Sequence, residues 1–316
     1  MHVFGTMFQP TWQDMMPMGI AKYNYQEEVT MAAVGNVYES YRVAKRNVNL
    51  RKYFLFFKLR FAMGVQYRTA TITALTTQLV WGLMECLAYK TIAEASGGSL
   101  PMDYSSIVSY IWLKEALLVL FNTWHADNDI FGMIQSGDIS YELCRPVSVY
   151  SMWFSKNIGG RISEVVLRCV PVLGCAFLML RPYKMGLPVS VEAFLLFVLT
   201  IILGMGVTVA FCMLVYMLCF FTISPQGWRM VLTGAVDFLS GNIIPLPFFP
   251  KSYLKIAELL PFAYMQNVPF RIYCGDLAGA AILPAVLKQI FWIVVLVLCG
   301  MLTWEKVKAK VVVQGG

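Results

Sequence analysis

Charge is scarce in this chain. Asp, Glu, Lys and Arg make up 14% of its 316 residues, where a soluble domain carries about a quarter. That deficit argues against a soluble globular enzyme, and a 58% hydrophobic composition excludes a chain kept disordered by solvation. Histidine is scarcer still. His2 and His125 are the two present and lie far apart, which leaves little material for metal binding or acid–base chemistry. Eight cysteines occur, but no CxxC pair does, so neither a disulfide framework nor a zinc site is indicated. GxxxxGK[ST] is missing, so the chain cannot cradle nucleotide phosphates in a P-loop, and GxGxxG, HExxH and GxSxG are missing as well. No polar stretch is long enough to house a separate soluble catalytic domain. Any energy that drives the function must come from an ion gradient or another subunit.

Long apolar runs fill the space that charge leaves. A bilayer core of about 30 Å needs roughly 20 consecutive, mostly apolar helical residues. Six stretches meet that requirement: residues 69–92, 104–124, 162–180, 191–223, 228–244 and 283–304. The expected fold class is therefore all-α, a polytopic membrane protein with six transmembrane helices. Nothing before residue 50 resembles the apolar core of a signal peptide, so the N-terminus is expected to be retained. Lys and Arg in the short loops set the orientation. With the N-terminus inside, nine basic residues precede the first span. Arg145, Lys156, Arg161, Arg229, Lys306, Lys308 and Lys310 bring the inside to sixteen, against seven outside. Both termini are expected in the cytoplasm. The net charge of +7 reflects orientation, and no nucleic-acid partner is expected.

Two further segments are not simple spans. Leu50, Tyr53, Phe54, Phe57, Phe61, Gly64 and Val65 recur at helical spacing, with Arg51, Lys52, Lys58 and Arg60 as cationic flanks. That pattern suits an interfacial helix in the cytoplasmic headgroup plane; the plainer reading is an extension of the first span. In residues 245–279, Pro245, Pro247 and Pro250 are expected to end the fifth span. Short pieces follow at 251–260 and 263–274, divided by Pro261 and interrupted again at Pro269. They read as a helical hairpin dipping into the outer leaflet, where irregular backbone must be shielded by protein or line a wet cavity. The alternative is a plain extracellular loop.

The most informative polar stretch joins spans two and three. Ile130, Phe131, Met133 and Ile134 form one apolar stripe, Asp127 or Asn128 can cap its start, and Gly137 stops it. A short amphipathic helix results, followed by Asp138, Glu142 and Arg145-Pro146. Such a surface suits docking onto another protein, or rests on the membrane as a loop helix.

Ionisable groups inside spans are costly and face protein or a wet cavity. Glu85, Lys114, Glu115, Glu164, Arg168 and Asp237 are the candidates. Glu164 and Arg168, at i and i+4, can neutralise each other, and Lys114 can answer Glu85 or Glu115 across helices. Asp237 lies mid-span near Ser240 and Gly241, among small residues that permit close helix packing. A helix-dimer interface and a substrate path fit it equally.

The run SGDISYELCRPVSVYSMWFSKNIGGR (residues 136–161) resembles the cytoplasmic loop motif of type-2 ABC transporter permeases, and more narrowly a bacterial six-span group carrying GxI…LxRPv there. LSGNIIPLPFFP (239–250) and LLPFAYMQNVPFRIYCG (259–275) resemble the same group's LSG…IPL…FP and LPF…PxxiY.G signatures. So do RKYFLFFKLRFAMGVQYR (51–68), YIWLKEALL (110–118) and the closing VVVQGG (311–316). The resemblance covers about residues 50–316 and divides the chain into a cytoplasmic extension, 1–49, and a permease domain, 50–316.

The resemblance implies a six-helix subunit of an exporter in the bacterial cytoplasmic membrane. An interfacial helix precedes span one, a coupling helix lies between spans two and three, and re-entrant helices lie between spans five and six. It implies as partners two copies of a separate ATPase, a second permease that is a copy or a sister, and membrane lipid. ATP and Mg would be bound by the ATPase, with no cofactor, metal or catalytic residue on this chain. The positions matching the coupling region are Asp127, Ile130, Phe131, Ile134, Gly137, Asp138, Glu142 and Arg145, the last four foremost as contacts. Arg145 can meet an acidic groove on the ATPase, cap the coupling helix, or pair with anionic lipid. An amphipathic or hydrophobic cargo (drug, peptide or lipid) follows from the family's habits alone. The competing expectation is an ion-driven secondary carrier or channel. It calls for an internal repeat with broken helices at matching places, and the single Pro-interrupted element at 245–250 has no counterpart in the first half.

Overall fold

The computed structural model describes residues 50–66, 68–123, 128–222 and 225–308. The features expected at 1–49, at His125 and Asp127, and at 311–316 lie outside the described residues, as does the capping side chain of Asn128. The described parts of Leu50–Arg145 and Val149–Gly316 form one compact unit. Among the described residues every regular element is helical: α1 (Leu50–Gln66), α2 (Arg68–Ala95), α3 (Tyr104–Ala116), α4 (Leu118–Phe121), α5 (Asn128–Ser136), α6 (Ile139–Leu143), α7 (Val149–Leu178), α8 (Val191–Cys219), α9 (Pro225–Leu239), α10 (Lys251–Ala257), α11 (Asn267–Tyr273) and α12 (Ile282–Lys308). Short 3-10 turns stand at Leu246–Phe248, Pro261–Tyr264 and Gly279–Ala281. The all-α class is what the apolar runs require.

Among the described residues, two segments are by length and composition fit to cross a bilayer unaided: Val191–Cys219 and Gly279–Lys308. α2 and α7, of 28 and 30 residues, are long enough, at about 1.5 Å per residue, but are less continuously apolar. The second expected span is divided: α3 stops at Ala116, and α4 is a four-residue helix beyond Leu117. The third starts earlier than expected, because α7 takes in residues 149–161 as well. The fifth is shorter. α9 ends at Leu239, where Gly241 adopts φ +82°, a left-handed conformation that ends helices. The terminator is thus Gly241, and the prolines expected to stop this helix lie beyond it. Pro269 does not interrupt its segment either: it is the third residue of α11, a first-turn position where the missing N–H would have had no intrahelical partner.

Packing centres on α3, α7, α8 and α11. The largest fully buried side chains include Trp112, Trp153, Tyr110, Tyr216 and Phe270. α1 runs along α7, with Gly159 set against the Phe57 carbonyl and Gly64 against Ser163. A Cβ at Gly159 would stand 2.7 Å from the Phe57 oxygen, so glycine is what allows the approach. α8 starts from Ser190, whose side chain caps it by accepting from Ala193 N–H, and at Gly204 it touches the backbone of Met265. Residues 245–279 fold back into the molecule: Leu246, Ala257, Ala263, Tyr264, Val268 and Ile272 are buried together with Ala285 of α12.

Apolar side chains also face outward. Along α12, Leu283, Leu287, Phe291, Val294, Leu298 and Leu302 form one exposed stripe, and α2 shows Val80, Trp81, Met84 and Leu87. A protein in water rarely leaves such continuous apolar faces uncovered.

Candidate functional site

The segment between the second and third long helices builds the first half of the site. α5 turns its apolar stripe inward: Ile130 and Phe131 are buried, and Met133 and Ile134 half-buried. The Phe131 ring meets Tyr216 of α8 edge-to-face, with centroids 5.1 Å apart. Tyr216 also meets Trp153 of α7, and Trp153 meets Trp304 of α12. This short helix is therefore docked on α8, and the Tyr216 ring links it onward to α7 and α12. Its polar side carries Asp129, which pairs with Arg60 of α1 at 3.5 Å.

Gly137 adopts φ +79°, so the chain reverses after α5 as a C-terminal glycine permits. Ser136 donates its hydroxyl to Asp138 at 2.6 Å. In α6, Ile139 is buried and Tyr141 is 74% exposed. Glu142, expected at a contact surface, is instead buried: it accepts from Lys156 of α7 at 3.4 Å and lies 3.8 Å from Arg145. Arg145 keeps a side chain 49% exposed. Asp138, Tyr141 and Arg145 make up the open polar face. Asp127 lies outside the described residues.

Sequence reasoning missed the residues beneath this segment. Arg161 is 5% exposed, although it reads in the sequence as one more loop cation. Its Nε donates to Asn157 Oδ1 at 2.7 Å, and Nη1 to the carbonyls of Val119, Leu120 and Asn122 at 2.9, 2.9 and 2.7 Å. Nη2 points at Cys212 Sγ at 3.3 Å. Asn157 in turn donates to the Tyr216 hydroxyl at 3.2 Å. The available signal was the i, i+4 spacing of Asn157 and Arg161 around a Gly-Gly pair, which places both on one helix face.

At the opposite end of the long helices, Ser240 and Gly241 come together with α3 and α11. Gln266 donates to the Ser240 hydroxyl at 3.3 Å, and Tyr110 donates to Asn267 Oδ1 at 3.3 Å and sits 3.5 Å from the Gly241 carbonyl. Asp237 does not join them. Its carboxylate is half-buried and accepts from the Asn242 side chain at 3.2 Å.

The remaining charges pair. Lys114 contacts Glu85 of α2 and lies 3.5 Å from Glu115, while Gln78 donates to the Glu115 carbonyl at 3.1 Å. Arg168 donates to Glu164 at 3.1 Å, one turn away on α7. Among the described residues no cluster of three or more His, Cys, Asp or Glu is placed to hold a metal ion.

The family profile described as ABC-2 family transporter protein matches residues 104–315, which takes in every element from α3 onward. No curated protein and no solved structure matches the chain.

Proposed function

Since this chain belongs to the ABC-2 family of transporter proteins, integral membrane transport components that work with a partner ATPase, we propose that it is the permease subunit of an ATP-driven exporter. In this reading α2, α3 with α4, α7, α8, α9 and α12 are six crossings. Both termini lie in the cytoplasm of a bacterium, and residues 1–49 form an extension on that side. α1 lies in the inner headgroup plane, where Leu55, Leu59 and Met63, exposed on one face, meet acyl chains. Residues 245–279 dip into the outer leaflet. The chain supplies half of a path for an amphipathic or hydrophobic cargo, and a second permease, a copy or a sister, supplies the other half. ATP and Mg are bound by the ATPase, present in two copies, and no step of hydrolysis falls to this chain.

One observation carries the reading. α5 buries Ile130 and Phe131 against α8 while α6 and its flanks leave Asp138, Tyr141 and Arg145 open. A helix so fastened behind and polar in front suits the transfer of a push from an outside protein to the long helices. Asp237, Ser240 and Gly241 are placed on the cargo path or the permease–permease interface by the same reading. The Lys114–Glu85 and Arg168–Glu164 pairs neutralise charge at membrane depth, where an unpaired ion is costly.

The test is gentle extraction of the tagged full chain from its native membrane, with the co-purifying proteins identified by mass spectrometry. A P-loop ATPase at about one copy per permease is the expected result. A stable complex without one, in detergents that preserve ABC assemblies, overturns the proposal and directs attention to proton- or sodium-driven flux. Within the complex, Arg145→Glu is expected to lower ATP-dependent activity while leaving membrane insertion intact.

A further inference from the structure

Arg161 is a cation whose acceptors are all neutral: three backbone carbonyls, the Asn157 amide oxygen and the Cys212 sulfur. It is buried, and among the described residues no carboxylate lies within salt-bridge distance of it. Burying an unpaired charge is expensive. What offsets the cost is the end of α4, whose last carbonyls have no intrahelical partners and carry the negative end of the helix dipole. Three of those oxygens, on Val119, Leu120 and Asn122, converge on the single nitrogen Nη1. The guanidinium thereby anchors the end of α4 to α7.

The same side chain reaches the far side of the α4–α5 connection by another route. Nε holds Asn157, Asn157 donates to Tyr216, and the Tyr216 ring receives Phe131 of α5. Both ends of the segment from residue 122 to residue 131 are therefore fastened to one polar set shared by α7 and α8. The planar fork matters here, because a lysine cannot serve a side-chain amide and a group of carbonyls in fixed directions at once.

Resting on the exporter reading above, we infer that Arg161, with Asn157 and Tyr216, is the positioning set that makes α5, α7 and α8 move together when the ATPase binds nucleotide. It touches neither nucleotide nor cargo. Its task is to convert displacement of α5 into displacement of the long helices.

The experiment is amide hydrogen exchange on the purified permease–ATPase complex, without nucleotide and trapped with ATP and vanadate. In the unaltered complex, peptides covering 128–136 and 205–219 should change protection together. In Arg161→Lys the 128–136 peptide should still respond to nucleotide, while the response at 205–219 should fall about fivefold or more, with nucleotide-free protection of the long helices unchanged. Tyr216→Phe keeps the ring contacts and deletes one hydroxyl; it should weaken the 205–219 response in the same direction and decides the matter if the arginine variant fails to assemble. Responses at both peptides equal to those of the unaltered complex overturn the inference. So does a loss of protection throughout the nucleotide-free Tyr216→Phe complex, which would reduce the set to a structural prop. No response to nucleotide at either peptide in the unaltered complex would overturn the exporter reading itself, an outcome distinct from the other two.

Discussion

Phe131→Ala should undock α5 without unfolding the helices beneath it. The side chain is 7% exposed and meets Tyr216 edge-to-face. Truncating a fully buried phenylalanine costs about 3–5 kcal/mol, of which the aromatic pair accounts for about 1. α5 has nine residues, below the roughly 12–15 at which an isolated helix becomes even marginal in water, so docking is what keeps it helical. Ile130 remains as an anchor, and the cost falls on a local equilibrium. A loss of about 3 kcal/mol shifts docked against undocked by more than about a hundredfold. Chymotrypsin can report that shift at Tyr141, already exposed on α6 but protected by the helical backbone. Where cleavage is slow compared with reclosing, its rate follows the open population. Cleavage at Tyr141 should therefore rise between about tenfold and a hundredfold, the smaller figure applying if Ile130 repacks into the space. Phe131→Leu should fall in between, and melting of the solubilised protein should be nearly unchanged. Equal cleavage rates in Phe131→Ala and the unaltered chain would refute the claim that α5 is held through Phe131.

Gly204→Ala should destabilise by about 3 kcal/mol, at the top of the range for overpacking. The new Cβ would stand 2.0 Å from the Met265 carbonyl oxygen, a backbone atom that cannot swing away; a melting temperature within a degree of the unaltered protein would count against this packing. Gly174→Ala, where nothing lies within 4 Å of the added carbon, should instead stabilise α7 by about 0.5–1 kcal/mol and raise the melting temperature slightly. Lys114→Met leaves Glu85 and Glu115 without their shared cation and should cost about 3–5 kcal/mol, seen as lower yield and earlier melting. Lys114→Met together with Glu85→Gln should recover part of that loss.

The parts of the fold that could be read from residues are those where one pattern repeats over many positions. α8 and α12 announce themselves because their lengths and apolar content admit no other structure at that scale. α5 was legible because its stripe and its stop at Gly137 lie within ten residues. The break at Leu117 was not, since neither glycine nor proline marks it, and the disposition of α3 and α4 depends on a guanidinium donated from α7. The first third of α7 was hidden for a related reason. Gly159 and Gly160 weaken a helix by about 1 kcal/mol each and so suggest a loop, whereas the value of Gly159 lies in admitting α1 at contact distance. Arg161 shows the limit most plainly. A cation preceding an apolar run looks the same whether it faces water or three carbonyls, and only the folded chain distinguishes them.

Polar contacts tie α8 to its neighbours at two places. Near one end, Gln289 of α12 is fully buried and donates both to the Thr200 carbonyl and to the Tyr264 carbonyl, 3.1 and 2.9 Å away, where Gly204 also meets Met265. Near the other, Cys212 and Tyr216 receive Arg161 and Asn157. From residue 200 to residue 216 the helix rises about 24 Å, and its intervening buried side chains are almost all apolar. Apolar contacts are non-directional and can slide; buried hydrogen bonds are directional, and breaking one leaves a polar group unsatisfied at a cost of about 1–3 kcal/mol. A displacement of Tyr216 is therefore resisted least by the middle of α8 and passed on to Thr200 and Gly204, against which residues 261–265 rest. In the exporter reading that sequence of stiff and slippery contacts joins the ATPase-facing segment to the outer hairpin through a single helix.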